Sequence, residues 1–159
     1  MNVYSLSAKN CMSHLLLKET FDTFLFIEAE FTTWGKFKID GYLQTEFFDE
    51  APEETYARWE KARDYSFQII RGKRTPLNFK IILALPEDQY PDFLIRHGLS
   101  AYRPKNIQGL YLNFHYNGTA LQCTTGTTLN TFTLDKTLEH AWDNEVRSIL
   151  KANLIEGDY

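Results

Sequence analysis

The chain has 159 residues, of which 15% are aromatic, and this fits one globular domain over residues 1–159 with a well-filled core. A formal net charge of -4 argues against nucleic acid as an obligate partner, because duplex binding is driven by a basic surface. The two cysteines are too few for a disulfide framework or a four-ligand metal site. Without a long apolar run or a signal-peptide pattern, we expect a soluble cytoplasmic protein that contacts no membrane.

The first half of the chain alternates between strand and helix patterns. In chain order the predicted elements are a strand at 3–6, a helix that begins after Ser7 and ends near Thr20, a strand at 25–32, a return strand from Phe37 with an extension over 42–48, and a helix from Pro52 to Gly72. Thr33-Trp34-Gly35 is predicted to be a three-residue hairpin loop with Gly35 in the left-handed region, which pairs Phe31 with Phe37.

Strict alternation along strand 25–32 predicts that its odd-numbered residues share one face of the sheet. These are Leu25, Ile27, Ala29 and Phe31. Phe24 and Phe26 would then lie on the other face together with Glu28 and Glu30. We therefore expect the second face to be partly covered.

The second half carries a similar succession of patterns. The predicted elements are a strand at 77–85, a short helix from about Gln89 to His97, two strands around Asn117-Gly118, a third strand after a break at Gly126, and a helix opened by Asp135. A two-residue turn at Asn117-Gly118 would pair Phe114 with Leu121. Cys123 and His115 then lie on opposite faces, which argues against a Cys–His nucleophile pair.

These elements predict an α+β fold with a mainly antiparallel sheet of about seven strands and about four helices. Residues 1–72 and 77–154 share an inferred β-α-β-β-β-α order, and Phe37–Asp49 resembles Leu121–Asp135 in pattern. We interpret this similarity as an internal repeat of two similar halves. The alternative is chance agreement of two α+β patterns.

A basic cluster follows the long helix predicted in the first half. It consists of Arg71, Lys73 and Arg74, with Lys80 in the next strand. Such a cluster could hold a phosphate or a nucleic-acid backbone. The alternative is that cations at the end of a helix complement its dipole, with Gly72 as the C-terminal cap.

A threonine-rich segment offers a second candidate for anion contacts. Its residues are Thr124, Thr125, Gly126 and Thr127. A loop of this composition could present backbone N–H groups to an anion. Because threonine is also a good strand residue, an exposed strand explains the segment equally simply.

No motif for metal binding or catalysis is recognisable. The histidines are His14, His97, His115 and His140, and none has the spacing of a metal site. The nucleophile-elbow and dinucleotide-binding motifs are absent. We therefore predict no metal, no cofactor and no catalytic residue.

Four segments resemble a known bacterial family of about this length. They are residues 13–33, 37–43, 71–81 and 123–143, and the last, CTTGTTLNTFTLDKTLEHAWD, is the most specific. The family is a domain of unknown function, so the resemblance implies a cytoplasmic bacterial protein in which the whole chain is the domain. It implies no activity and no site residue.

The leading functional hypothesis is a non-enzymatic binding or protein-interaction module, because no nucleophile, base and orienting group fall together. One alternative is anion or nucleic-acid binding through residues 71–74. A second is an enzyme whose site combines distant residues, such as His97 or His140 with a carboxylate. Self-association through an exposed hairpin edge is also open.

Overall fold

The structure is a computed structural model that describes residues 1–159. It contains seven strands and four α-helices. The strands are β1 (Val3–Leu6), β2 (Leu25–Thr32), β3 (Lys36–Asp40), β4 (Asn78–Ala84), β5 (Ile107–Tyr116), β6 (Leu121–Leu129) and β7 (Gly157–Asp158). The helices are α1 (Ala8–Leu16), α2 (Trp59–Ile70), α3 (Tyr90–Arg96) and α4 (Thr137–Ala152). Single 3-10 turns cover Thr45–Phe47, Glu87–Gln89 and Pro104–Asn106.

All strands belong to one antiparallel sheet in the order β3-β2-β4-β5-β6-β1-β7. The predicted α+β class with a mainly antiparallel sheet is therefore confirmed. The internal repeat is not confirmed, because the two halves occupy different positions in the sheet. β1 lies between β6 and β7, whereas β4, its counterpart in the second half, lies between β2 and β5.

The helices cover one face of the sheet and enclose a core of 32 buried residues. Two tryptophans anchor them. The Trp59 indole N–H donates to the Leu15 carbonyl at 2.7 Å, which joins α2 to α1, and the Trp142 N–H donates to the Tyr111 carbonyl at 2.9 Å, which joins α4 to β5. A buried indole with its donor satisfied gains its full apolar burial without the cost of an unpaired N–H.

The other face of the sheet is polar and open over much of its area. Its exposed residues lie on neighbouring strands and include Glu28, Lys80, His115 and Gln122. Cys123, in contrast, is fully buried on the helix side. The prediction that His115 and Cys123 lie on opposite faces is confirmed.

The β5–β6 hairpin differs from the sequence-based register by two residues. Tyr116 pairs with Leu121, so four residues form the turn rather than two. The Asn117 side chain explains the longer turn, since its carbonyl accepts the N–H groups of Thr119 at 2.9 Å and Ala120 at 2.8 Å. A shift of two residues leaves every side chain on its predicted face.

The predicted strand break at Gly126 is wrong. β6 runs without interruption from Leu121 to Leu129, and Gly126 pairs with Tyr111 of β5. On the other side, Thr124 pairs with Val3 of β1. The threonine-rich segment is thus an inner strand, and pairing on both sides keeps it extended.

The β2–β3 hairpin has the predicted pairing of Phe31 with Phe37, which is confirmed. Gly35, however, is not among the glycines with positive φ, so its predicted left-handed conformation is wrong. The predicted facing along β2 is also wrong at its start. A β-bulge between Phe26 and Glu28 turns Phe26 into the core.

Helix α2 begins at Trp59, seven positions after the predicted start at Pro52. The intervening chain is extended because it pairs on both sides. The Ala57 N–H donates to the Gly41 carbonyl at 2.8 Å, and the Ala57 carbonyl accepts the Phe26 N–H at 2.7 Å. These tertiary hydrogen bonds favour an extended conformation of the segment more strongly than its sequence pattern favours a helix. The predicted extension of β3 over 42–48 is likewise reduced to a single bridge, between Tyr42 and Tyr56.

Gly41 sits where a side chain does not fit, because a Cβ atom there would overlap the carbonyl oxygen of Phe26. We expect Gly41→Ala to lower the free energy of unfolding by about 3 kcal/mol, since the backbone must shift to relieve the overlap. Gly35→Ala is the matched control at the other end of β3, where a Cβ meets nothing within 4 Å. The control should change stability by less than about 0.5 kcal/mol. Urea unfolding of both variants measures the difference, and equal effects would contradict the prediction.

Candidate functional site

An apolar groove lies between the outer strand β3 and helix α2. Its volume is about 580 Å³. Its walls are formed by Trp34, Phe37, Ile39, Ala62, Tyr65, Gln68 and Ile69. We call this surface the aromatic groove. Phe37 and Ile39 face it because alternate residues of β3 point to the helix side of the sheet.

A second hollow continues the aromatic groove beyond Ile39. Its volume is about 390 Å³, and it shares Ile39, Ala62 and Tyr65 with the groove. We call it the arm hollow, because its far wall is formed by the arm, residues 42–48, which leaves the end of β3. The Lys61 ammonium group lies 5.3 Å from the ring centre of Phe48 and covers one side of this wall.

The aromatic side chains around these hollows are unusually open to solvent. Trp34 is 90% exposed, Phe47 is 85% exposed and Tyr65 is 69% exposed. Trp34 touches only the edge of a neighbour, with its ring centre 5.2 Å from that of Phe37 and the planes at 88°. Exposed apolar residues that adjoin one another in this way mark an interaction surface, whereas scattered ones do not.

The backbone of β3 is free along its outer side. β2 is its only neighbour, and the Gly41 N–H donates to the Ile27 carbonyl at 2.9 Å. Because bonding alternates along an antiparallel pair, the odd-numbered residues of β3 bond to β2. The N–H and C=O groups of Lys36, Lys38 and Asp40 therefore point outwards and can accept another strand.

The predicted basic cluster is split between two places. Arg71, Lys73 and Arg74 are exposed at the turn after α2, and none of them forms an ion pair. Lys80 lines a different, charged groove on the open face of the sheet, where it pairs across the strands with Glu30. Anion binding at residues 71–74 stays a prediction, and Lys80 belongs to another surface.

The threonine-rich segment forms hydrogen bonds within the sheet and to α4. The Thr125 N–H donates to the Asn2 carbonyl at 3.0 Å, and its hydroxyl donates to the Asp143 carboxylate. Asp143 is itself buried, although it is an acidic residue of α4. The loop assumed for anion contacts at Thr124–Thr127 is absent.

One histidine meets a carboxylate, as the enzyme hypothesis had considered. His97 Nε2 lies 2.7 Å from Glu145 Oε2, and Arg96 holds the other oxygen of the same carboxylate. The three side chains connect α3 to α4. His97 also packs on Phe93, with ring centres 4.9 Å apart. Neither His97 nor Glu145 lines the aromatic groove or the arm hollow, so the geometry favours a role in joining the two helices.

A polar cavity of about 600 Å³ lies under residues 53–58, at the ends of β2 and β4. Its arginine, Arg58, bonds Glu54 at 2.9 Å and the Thr23 carbonyl at 2.6 Å. Burial raises the pKa of Tyr90 to about 12 and also raises the pKa of Tyr111, so both phenols remain protonated at neutral pH. No serine, cysteine, histidine or lysine lines this cavity. It therefore lacks the side chains on which most nucleophile–base pairs are built, while its own titratable lining consists of carboxylates, tyrosines and Arg58.

The structure contains no group of three or more histidine, cysteine, aspartate or glutamate side chains placed to hold a metal ion. Nor does any helix have the length and apolar character needed to cross a bilayer.

The aromatic groove was not predicted from the sequence. Its one sequence signal is Trp34, because a tryptophan in the centre of a short hairpin loop cannot be buried by its own strands. Tyr65 and Ile69, on the opposite wall, gave no signal, since they fit the amphipathic pattern of α2.

Both cysteines are buried, and burial raises the pKa of the Cys123 thiol to about 12 and also raises that of Cys11. We expect neither thiol to react with Ellman's reagent in the folded protein at neutral pH, and both to react in denaturant. Ser100→Cys, at an exposed position, is the positive control. Rapid reaction of either native thiol in the folded protein would show that a nucleophilic cysteine is accessible after all.

Comparison with known proteins places the chain in a family but gives it no activity. The chain matches no curated protein and no solved structure. Residues 14–158 match the family model described as a family of unknown function, DUF5721. Because this match covers nearly all of the 159 residues, the chain belongs to the DUF5721 family.

Proposed function

We propose that this protein is a non-enzymatic protein-interaction module that binds its partner at the aromatic groove and the arm hollow. The observation that carries the proposal is Trp34, which is 90% exposed on the rim of a continuous apolar surface. Tryptophan and tyrosine are enriched at the energetic centres of protein interfaces. A partner that covers this surface removes apolar area from water, which contributes roughly 25 cal/mol per Å².

The shape of the surface favours a polypeptide over a small ligand. A small-molecule site is usually enclosed and carries several polar groups that orient the ligand. Here the hollows are open troughs along a strand edge, and Gln68 is the only polar residue in the wall of the aromatic groove. The free N–H and C=O groups of β3 run beside them. An added strand would satisfy those groups and place alternate side chains in the groove.

Three features of the remaining molecule support binding over catalysis. The polar cavity near Arg58 contains no serine, cysteine, histidine or lysine, His97 and Glu145 are engaged between two helices, and both thiols are buried. Two buried, unpaired cysteines also fit a reducing compartment, which supports the proposal of a cytoplasmic location.

Photo-crosslinking tests this function. Tyr65 is replaced by p-benzoylphenylalanine in the full chain, which is expressed in cells of the source organism. We expect ultraviolet light to produce a covalent protein adduct from this position, because Tyr65 lines both hollows. Mass spectrometry identifies the adduct. Adding Trp34→Ala should reduce the yield severalfold, since the partner loses its largest contact.

The matched control places the same photo-reactive residue at Phe132, which is also 90% exposed but lies on the loop after β6, four strands away from β3 in the sheet. This position should give no adduct that depends on Trp34. No adduct at Tyr65, or equal adducts at both positions, would rule out the aromatic groove as the docking surface.

A further inference from the structure

We infer that the partner at the aromatic groove is a second copy of this chain, joined by antiparallel pairing of the two β3 strands about a two-fold axis. The inference rests on the proposed function and names its partner. In this arrangement two seven-stranded sheets form one continuous sheet across the axis. The inference follows from the charges on the free edge and from the spacing between Trp34 and the arm.

Several antiparallel registers of β3 with itself place like charges opposite one another. Only Lys36, Lys38 and Asp40 have outward backbone groups, so these residues must face one another across the axis. If the axis passes at Phe37, Lys36 faces Lys38 twice. If it passes at Lys38, the two Lys38 side chains face each other, between two opposite-charge pairs of Lys36 with Asp40. Like charges directly opposite one another destabilise a strand pair.

The register centred on Ile39 removes this repulsion. Lys38 of each copy then faces Asp40 of the other, so two opposite-charge pairs form on the two sides of the axis. The two Ile39 residues meet at the axis, and their side chains lie on the helix side, where each lines both hollows. No like-charged pair remains along the edge.

The same register brings each Trp34 towards the arm hollow of the other copy. Trp34 lies just before the start of β3 and the arm begins just after its end, so an antiparallel pair of β3 strands places the Trp34 end of one copy beside the arm end of the other. Gln44 lines the arm hollow together with Leu43 and Phe47. Trp34 borders a groove on the same side of the sheet. The exposed indole of one copy therefore lies at the same end of the strand pair, and on the same side of the sheet, as the open apolar hollow of the other.

A two-fold interface requires a surface that is complementary to itself. The surface beside β3 has this property, since it carries a projecting residue, Trp34, at one end of β3 and a hollow at the other end. It also carries a positive and a negative charge at matching distances from Ile39, at Lys38 and Asp40. A different partner would have to supply each of these features separately.

Charge exchange tests this pairing. Lys38→Asp and Asp40→Lys each place like charges opposite one another at both sides of the axis. We expect each variant alone to dimerise at least about tenfold more weakly than the wild type in analytical ultracentrifugation over a concentration series. A mixture of the two should form a heterodimer of near wild-type affinity, because every opposed pair is again of opposite sign. This recovery also shows that neither variant is misfolded.

Lys36→Asp is the matched control. Lys36 and Lys38 both pair with Glu30 within their own chain, at 3.3 Å and 3.8 Å. In the inferred register, however, Lys36 lies beyond the last residue of the other copy's β3 and faces no charge on that strand, so its substitution should leave the dimer intact. A wild type that is monomeric at all concentrations, or single variants that dimerise like the wild type, would overturn the inference. Loss of the dimer only in Lys36→Asp would overturn it too, since that result requires the register centred on Lys38.

Failure of this inference is distinguishable from failure of the proposed function. If the Tyr65 crosslink joins this chain to a different protein and the wild type is monomeric, the function stands and the second copy is excluded. If no crosslink forms and no dimer is found, both are excluded.

Discussion

The close approach of Gly41 to the backbone of Phe26 determines the shape of the outer edge of the sheet. The β-bulge after Phe26 directs its N–H to Ala57, and Gly41 bonds both Ile27 and Ala57 from the other side. The chain that follows Gly41 can then no longer run beside β2. It leaves the sheet as the arm, and the space between the arm and α2 is the arm hollow. The candidate site therefore depends on one glycine and one bulge.

The three tryptophans show how this edge differs from the rest of the molecule. Trp59 and Trp142 are fully buried, and each indole N–H donates to a backbone carbonyl. Trp34 is 90% exposed, and its indole N–H has no partner within the chain. Exposure of so large an apolar side chain gives no folding stability, because burial is the source of its contribution. This exposure is the reason for proposing Trp34 as a docking residue.

Local patterns in the sequence predicted the elements whose partners are close in the chain. The pairing of Phe31 with Phe37 follows from alternation and a short loop, and both act over a few residues. The start of α2 was predicted wrongly because Ala57 bonds to residues that lie far from it in the sequence. The turn at Asn117 was predicted wrongly because its side chain, rather than the backbone conformation of Asn-Gly, fixes the loop. The aromatic groove was not predicted for the same reason as the start of α2, because its two walls are more than twenty positions apart in the chain.

The two edge strands of the sheet, β7 and β3, differ in how they limit pairing with other chains. β7 consists only of Gly157 and Asp158, and so short a strand offers little to pair with. β3 is longer and alternates charged with apolar residues, and charges on an edge are a common defence against unregistered pairing. Here the charges are not all of one sign. An axis at Phe37, Lys38 or Asp40 places like charges of the two copies opposite one another, whereas an axis at Ile39 opposes only Lys38 with Asp40. The residues that protect the edge therefore also select the register in which it can be covered.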